Sequence, residues 1–151
     1  MQTLKLKFFL GVVIFGIIAG CAPDDSSYYD ISPSIPHFTL VNIDSAQITQ
    51  DDLEKGKQTL IIFFSPDCSH CGQLTHTMLN NIDKLQDTEI LMTTYQPLDD
   101  MIAFYRKYEL VKYANIKLGR DTKYFFIPFY KITRIPFIAF YGSKRRACFQ
   151  V

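Results

Sequence analysis

The sequence predicts an α/β domain, and three features predict it. The run Thr59 to Phe64 (TLIIFF) is continuous, apolar and rich in β-branched residues, as a strand buried on both faces is. Beyond it Leu74, Met78, Ile82 and Leu85 recur at spacings of four, four and three, the period of an amphipathic helix, expected over about Ser69 to Gln86. From Pro36 onward, strand-like and helix-like patterns alternate to the end of the chain. A chain of 151 residues has room for one ordinary domain plus accessories, which excludes a two-domain enzyme. With 48% hydrophobic residues, and thirteen Phe and nine Tyr among them, the composition forms a core.

The first twenty residues read as an address. Lys5 and Lys7 precede an apolar stretch from Phe8 to Ile18, and Ala19 and Gly20 lead to Cys21, the shape of a secretory signal. That stretch is about a dozen residues, whereas a spanning helix needs roughly 20. Ile18-Ala19-Gly20-Cys21 resembles the bacterial lipoprotein cleavage box. The resemblance implies removal of residues 1–20, lipid on Cys21 and attachment to a bilayer; a plain signal peptide or an uncleaved anchor is the alternative. Residues 21–35 then form a lipidated Cys and a flexible acidic tether, leaving 36–151 as the domain. Ala22 favours an outer membrane with the domain facing the periplasm, while Asp24 and Asp25 favour surface exposure, and both stay open. Lys plus Arg is 16 against 15 Asp plus Glu, and without Lys5 and Lys7 the balance is 14 against 15, or −1. Such a surface excludes nucleic acid as a partner.

Within the domain, HFTLVN (37–42) and QIT (47–49) flank Asp44-Ser45 as a hairpin, and QDDLEKG (50–56) reads as a short capped helical turn closed by Gly56. The buried strand and amphipathic helix follow. EILMTTY (89–95) is the next strand, and LDDMIAFYRKYE (98–109) is a helix with Asp99 and Asp100 near its start. Tyr113 to Leu118 is expected as a short strand, and 121–133 as a helix or an irregular crossover interrupted by Pro128. PFIAFYG and RACFQV close the chain as a hairpin around Gly142-Ser143-Lys144.

The cysteines are 21, 68, 71 and 148. A bridge between Cys68 and Cys71 closes too short a loop to constrain much, and zinc needs four ligands, usually from a second close pair, which is absent. His37, His70, His76 and Cys148 are scattered singly. Redox chemistry is the leading reading, with a metal site or a structural bridge as alternatives. At a strand-to-helix junction the first Cys meets free amide donors and the helix dipole, which favour a thiolate. Cys68 is therefore the expected nucleophile, Cys71 the resolver that attacks the mixed disulfide, and His70 a protonatable neighbour. No bound cofactor is needed, since the dithiol carries the electrons. Cys148 is expected as a buried small hydrophobe.

FFSPDCSHC after an apolar strand, together with RIPF at Arg134 to Phe137 before a later strand, resembles the thioredoxin-like superfamily. The longer stretch from Ile35 to Cys68 is similar to the opening of the membrane-tethered, extracytoplasmic thiol-disulfide oxidoreductases related to the cytochrome-maturation thioredoxins. The resemblance implies a central mixed sheet flanked by helices, with an N-terminal β-hairpin extension. It also implies a cis Pro136 opposite the CxxC, with Ile135 and Phe137 beside it meeting an extended substrate. Its implied partners are exported proteins with dithiols or disulfides and a membrane thiol-electron donor or acceptor. There are departures. Ile62 and Leu74 stand where relatives carry a buried acid, Ser65-Pro66-Asp67 replace an approach that often holds Trp, and the final helix is missing. That last departure leads to the expectation of a truncated sequence or of a sheet face covered by another chain. His70 resembles the oxidising members, while the overall relatives are mostly reductases. Two rival functions stand beside exchange: a lipoprotein binding or assembly module with an inert CxxC, and a peroxiredoxin-like peroxidase.

Overall fold

Three parallel strands form the centre of the domain, and the apolar runs of the first two put them there. The computed structural model describes residues 33–151; the expected signal peptide, Cys21 and most of the tether lie outside the described residues. Strand β3 (Gln58–Phe63) pairs in parallel with β4 (Thr88–Thr94), which is buried along its whole length, and β4 pairs in parallel with β5 (Ile116–Arg120). On the other side of β3 lies β6 (Phe137–Tyr141), antiparallel, followed by β7 (Ala147–Gln150). The N-terminal hairpin, β1 (Thr39–Val41) and β2 (Gln47–Thr49), joins the free edge of β5. The result is one mixed seven-stranded sheet in the order β2-β1-β5-β4-β3-β6-β7. Gly119 permits the β1–β5 contact: a Cβ there would lie 2.8 Å from the Leu40 Cβ.

Crossover handedness assigns the helices to faces. Helices α1 (Ser69–Asn80) and α2 (Leu98–Lys107) link β3 to β4 to β5 in one direction across the sheet. They share one face, packing Cys71, Met78, Met101 and Phe104 on Ile62, Phe64, Ile90 and Met92. The chain then crosses back to β6 through α3 (Phe126–Tyr130) on the opposite face, where Phe126 and Tyr130 meet Phe38, Ile61, Phe63, Leu91 and Tyr141. Buried Tyr130 and Tyr141 join hydroxyls at 2.7 Å, and burial, with Tyr141 beside it, pushes the Tyr130 phenol up.

Several boundaries differ from expectation, each for a local reason. The helix expected to reach Gln86 stops at Asn80. Asn81 leaves helical geometry (φ −119°, ψ 19°), its side chain donates to the Thr77 carbonyl at 2.9 Å, and the chain continues as a 3-10 turn, Ile82–Leu85. The apolar period ran on because Ile82 and Leu85 in that turn still pack against the same core. The strand expected at Tyr113 starts at Ile116. Asn115 instead ties the turn, donating to the carbonyls of Leu85 at 2.9 Å and Thr88 at 3.0 Å. The QDDLEKG segment forms only a 3-10 turn, Gln50–Asp52, with Thr49 and Asp52 capping each other. Pro128 sits in the first turn of α3, where its missing N–H costs no helical bond. Ser34 and Ile35, at the end of the stretch read as tether, already belong to the folded body: Ser34 bridges to Arg146 and Ile35 is buried. Cys148, expected in the core, lies half-buried on β7.

Candidate active site

The carboxyl end of β3 delivers the CxxC. After Phe63 the chain makes one more sheet bond, from the Phe64 N–H to the Thr93 carbonyl at 3.0 Å, and then turns. The turn is closed by the Cys68 N–H donating to the Ser65 carbonyl at 3.1 Å. Cys68 is the N-cap of α1, with extended backbone (φ −79°, ψ 117°), and its Sγ accepts the Cys71 N–H at 3.3 Å. A sulfur in the place usually taken by a Ser or Asp oxygen satisfies one of the orphan donors of the helix, and the dipole adds to the same polarity.

The two sulfurs differ in access. Cys68 is half-buried and borders an open groove of about 310 Å³ with Asp67, Gly72, His76, Lys107 and Tyr108. Cys71 is 1% exposed, and burial, then its hydrogen bond with Cys68, pushes its thiol up to about 12. Both are free thiols. His70 is exposed on the first turn of α1. Among the described residues no three His, Cys, Asp or Glu side chains converge as metal ligands would.

Across the sheet, Phe137 pairs with Phe63, which places the preceding residue next to the turn that carries Cys68. The Ile135–Pro136 bond is cis. Ile135 is exposed, whereas the ring of Phe137 is buried against Tyr130, with centroids 5.1 Å apart. Of the two residues expected to flank a substrate, Ile135 alone offers its side chain. The positions where relatives carry an acid are apolar in space as well as in sequence: Ile62 is 1% exposed and Leu74 packs against the same core.

Two residues without a mark in the sequence, Gln96 and Arg120, join Ser65 and Asp67 in bracing the loop before Cys68. Ser65 Oγ donates to Asp67 Oδ1, and the Gln96 side-chain amide donates to Ser65 Oγ at 3.2 Å. The Gln96 carbonyl in turn accepts Arg120 Nε at 2.8 Å, so the ends of β4 and β5 are tied to the turn before Cys68. On the α2 side, Tyr108 stacks on Phe104 at 4.5 Å and Phe104 on Phe64 at 4.5 Å. The Tyr108 hydroxyl lies 2.7 Å from where a Cβ on residue 72 would stand, so a side chain beside Cys71 would have to displace it. Gly72 following Cys71 was the one sequence signal of this contact.

No protein-family model matches the chain, and no curated protein matches it by sequence. Solved structures do match. A secreted Mycobacterium tuberculosis disulfide oxidoreductase, homologous to E. coli DsbE, is similar at 19% identity and a TM-score of 0.64, over 76% of this chain and 81% of that one. The thioredoxin domain of a thiol-disulfide oxidoreductase from Bacteroides vulgatus is similar at 19% identity and a TM-score of 0.65, over 80% of this chain and 88% of that one. A thiol-disulfide oxidoreductase from Bacteroides fragilis is similar at 12% identity and a TM-score of 0.66, over 78% and 88%. At such identities the likeness speaks to architecture, and with the CxxC capping the helix after the central strand and a cis proline across the sheet, this is a chain of thioredoxin-like fold.

Proposed function

We propose that the protein catalyses thiol-disulfide exchange with exported proteins, held to a bacterial envelope membrane by lipid on Cys21. The observation that carries the chemistry is the asymmetry of the two sulfurs: an accessible Cys68 at a helix N-terminus and a buried Cys71 one turn in, facing it. Cys68 attacks a partner disulfide, forming a mixed disulfide and releasing one partner thiolate. Cys71 gives up its proton and attacks Cys68 Sγ; the second partner sulfur leaves as a thiolate, and the protein is left oxidised. The reverse sequence oxidises a dithiol. Pro136 and exposed Ile135, just ahead of the β6 residue that pairs with Phe63, are in this reading where an extended partner segment lies. Anchoring and the extracytoplasmic setting rest on the sequence of residues 1–21.

A Cys71→Ser variant tests the reading. It should accumulate mixed disulfides through Cys68, identified by mass spectrometry after acid quenching, and a Cys68→Ser variant should trap none. Failure of both to trap, with no exchange against glutathione disulfide, makes the CxxC inert and favours a binding module. The potential of the pair then sets direction: near about −180 mV the protein oxidises or isomerises, and below about −250 mV it reduces. Palmitate labelling that survives in the wild type and is lost in Cys21→Ala checks the anchor.

A further inference from the structure

The face beside the cis proline is aromatic and basic, and nothing in the exchange chemistry requires it to be. From Thr122 to Ile138 the chain carries Lys123, Lys131 and Arg134 and no carboxylate. The nearest, Asp121, is buried, with its oxygens accepting the N–H groups of Lys123 at 3.3 Å and Phe126 at 2.9 Å. On this face Tyr124, Phe129 and Ile135 are 56%, 38% and 38% exposed.

Ring contacts tie two of these side chains to the strands on either side of the CxxC turn. Tyr124 lies on Tyr95 at 5.4 Å, and Tyr95 stacks on Phe63 at 6.0 Å, at the end of the strand that leads to Cys68. Phe129 meets Tyr130 edge-on at 4.8 Å, and Tyr130 rests on Phe137, the residue after Pro136. Tyr124 and Lys131, on either side of α3, both hold left-handed backbone (φ 54° and 52°), a conformation that costs roughly 1 to 2 kcal/mol in a residue with a Cβ. From Tyr124 a groove of about 630 Å³ runs on between Phe125 and Pro128 on one side and His37 and Phe38 on the other. The carboxylate on its wall, Asp51, accepts the Gln50 side-chain amide at 3.1 Å. The opposite flank of Cys68 is different, with Asp67, Asp100 and Lys107 mixing both signs.

We infer that the face formed by Lys123, Tyr124, Phe129, Arg134 and Ile135 recognises the segment around the partner's reactive cysteine, and that this segment is acidic with an aromatic or aliphatic residue. The inference rests on the exchange reading and names its substrate class. Opposite charge steers the encounter and penalises basic partners, while the aromatic surface takes the apolar side chain. A partner segment suits the face where a bilayer does not, because a membrane seated on Ile135 would cover the approach to Cys68.

The test uses the full chain, reduced, with two peptides of equal length whose single cysteine is disulfide-linked to a chromogenic thiol. One has Asp, Glu and Phe around the cysteine, the other Lys and Ser. The ratio of their second-order release rates should favour the acidic peptide about tenfold at low salt and fall toward one at high salt. In Lys123→Glu/Arg134→Glu the ratio should invert. Tyr124→Ser should slow the Phe-containing peptide and leave a Phe→Ser version of it unaffected. A wild-type ratio of one, or a ratio that charge reversal does not move, overturns the inference; so does a ratio of one with binding to phosphatidylglycerol vesicles that charge reversal abolishes, which makes the face a lipid contact. If glutathione disulfide exchanges while the ratio is one, the inference alone fails. If no disulfide exchanges, the exchange reading fails and takes the inference with it.

Discussion

At the carboxyl ends of β3 and β4 the polar groups face a groove; at the amino ends they are sealed in. The upper end holds Cys68, Asp67, Ser65 and Gln96, joined to one another and open to solvent on one side. The lower end holds Glu89, fully buried, paired with Lys117 and directly opposite buried Thr59. The domain therefore does contain a buried carboxylate, but it stands four residues before the top of the strand, about 13 Å away at roughly 3.3 Å per residue. Its charge is matched by a lysine instead of being offered to a sulfur. Burial makes a carboxylate sensitive to its surroundings, and distance from the reacting atom decides whether that sensitivity serves stability or chemistry.

The comparison is broken most severely at the sulfur. Cys68→Ser should lower exchange with a protein disulfide by at least about a thousandfold with little change in melting temperature, because the hydroxyl still caps α1. At the lower end the effects fall on stability. Lys117→Met leaves a charged Glu89 buried without its partner and should cost about 3–5 kcal/mol by urea denaturation. Glu89→Gln should cost only about 1–2 kcal/mol, because Lys117 is 27% exposed and can reach water. Equal losses in the two variants would mean that the pair is not asymmetric in the way its burial indicates.

Next in size is the alkaline behaviour of the reduced protein. Cys71 titrates near 12 when folded and near 9.0 when unfolded. The folded state therefore holds its proton more tightly, and the contribution is fully present below about pH 9 and is lost as pH rises through about 12. Denaturation midpoints should fall over that window more steeply for the reduced protein than for Cys71→Ser, in which the raised Tyr130 phenol still contributes to the fall. Smaller again, Gly72→Ala should destabilise by about 1–2 kcal/mol through the Tyr108 hydroxyl, and Tyr108→Phe should relieve much of that loss. The smallest expected change is in poise: Asp67→Asn removes a negative charge beside Cys68 and should shift the glutathione equilibrium about threefold, roughly 15 mV upward. A downward shift would mean that Asp67 acts through the Ser65 bond and not through its charge.

The order of elements was readable because each buried strand and each amphipathic stretch carries its own period. The CxxC and the Ile-Pro were readable because their residue types are local. What escaped depends on residues distant in sequence. Gln96 and Arg120 brace Ser65 only once three strands align, and nothing near Gln96 marks it as more than a loop residue. Asp121 reads as a surface acid and is buried because the α3 backbone needs an acceptor. The Gly142-Ser143-Lys144 turn points to glycine as its left-handed residue, yet Arg145 takes φ 56° and sends its guanidinium to the carbonyls of Gln50 at 3.2 Å and Leu53 at 2.8 Å. Tertiary bonds offset the local cost there, and no window of sequence contains both ends of them.

The position of β3 between a parallel neighbour and an antiparallel one also bears on biosynthesis. The CxxC and its helix emerge in chain order well before β6, whose residues pair with β3 from 74 (Phe63–Phe137) to 82 (Thr59–Tyr141) positions later. Until that pairing, Ile61 and Ile62 lie on an open edge with backbone groups unsatisfied, and the accessible sulfur has no proline loop beside it. The newly made chain thus passes through an interval in which Cys68 and the β3 edge are unguarded together, and a chaperone that covers that edge would protect both.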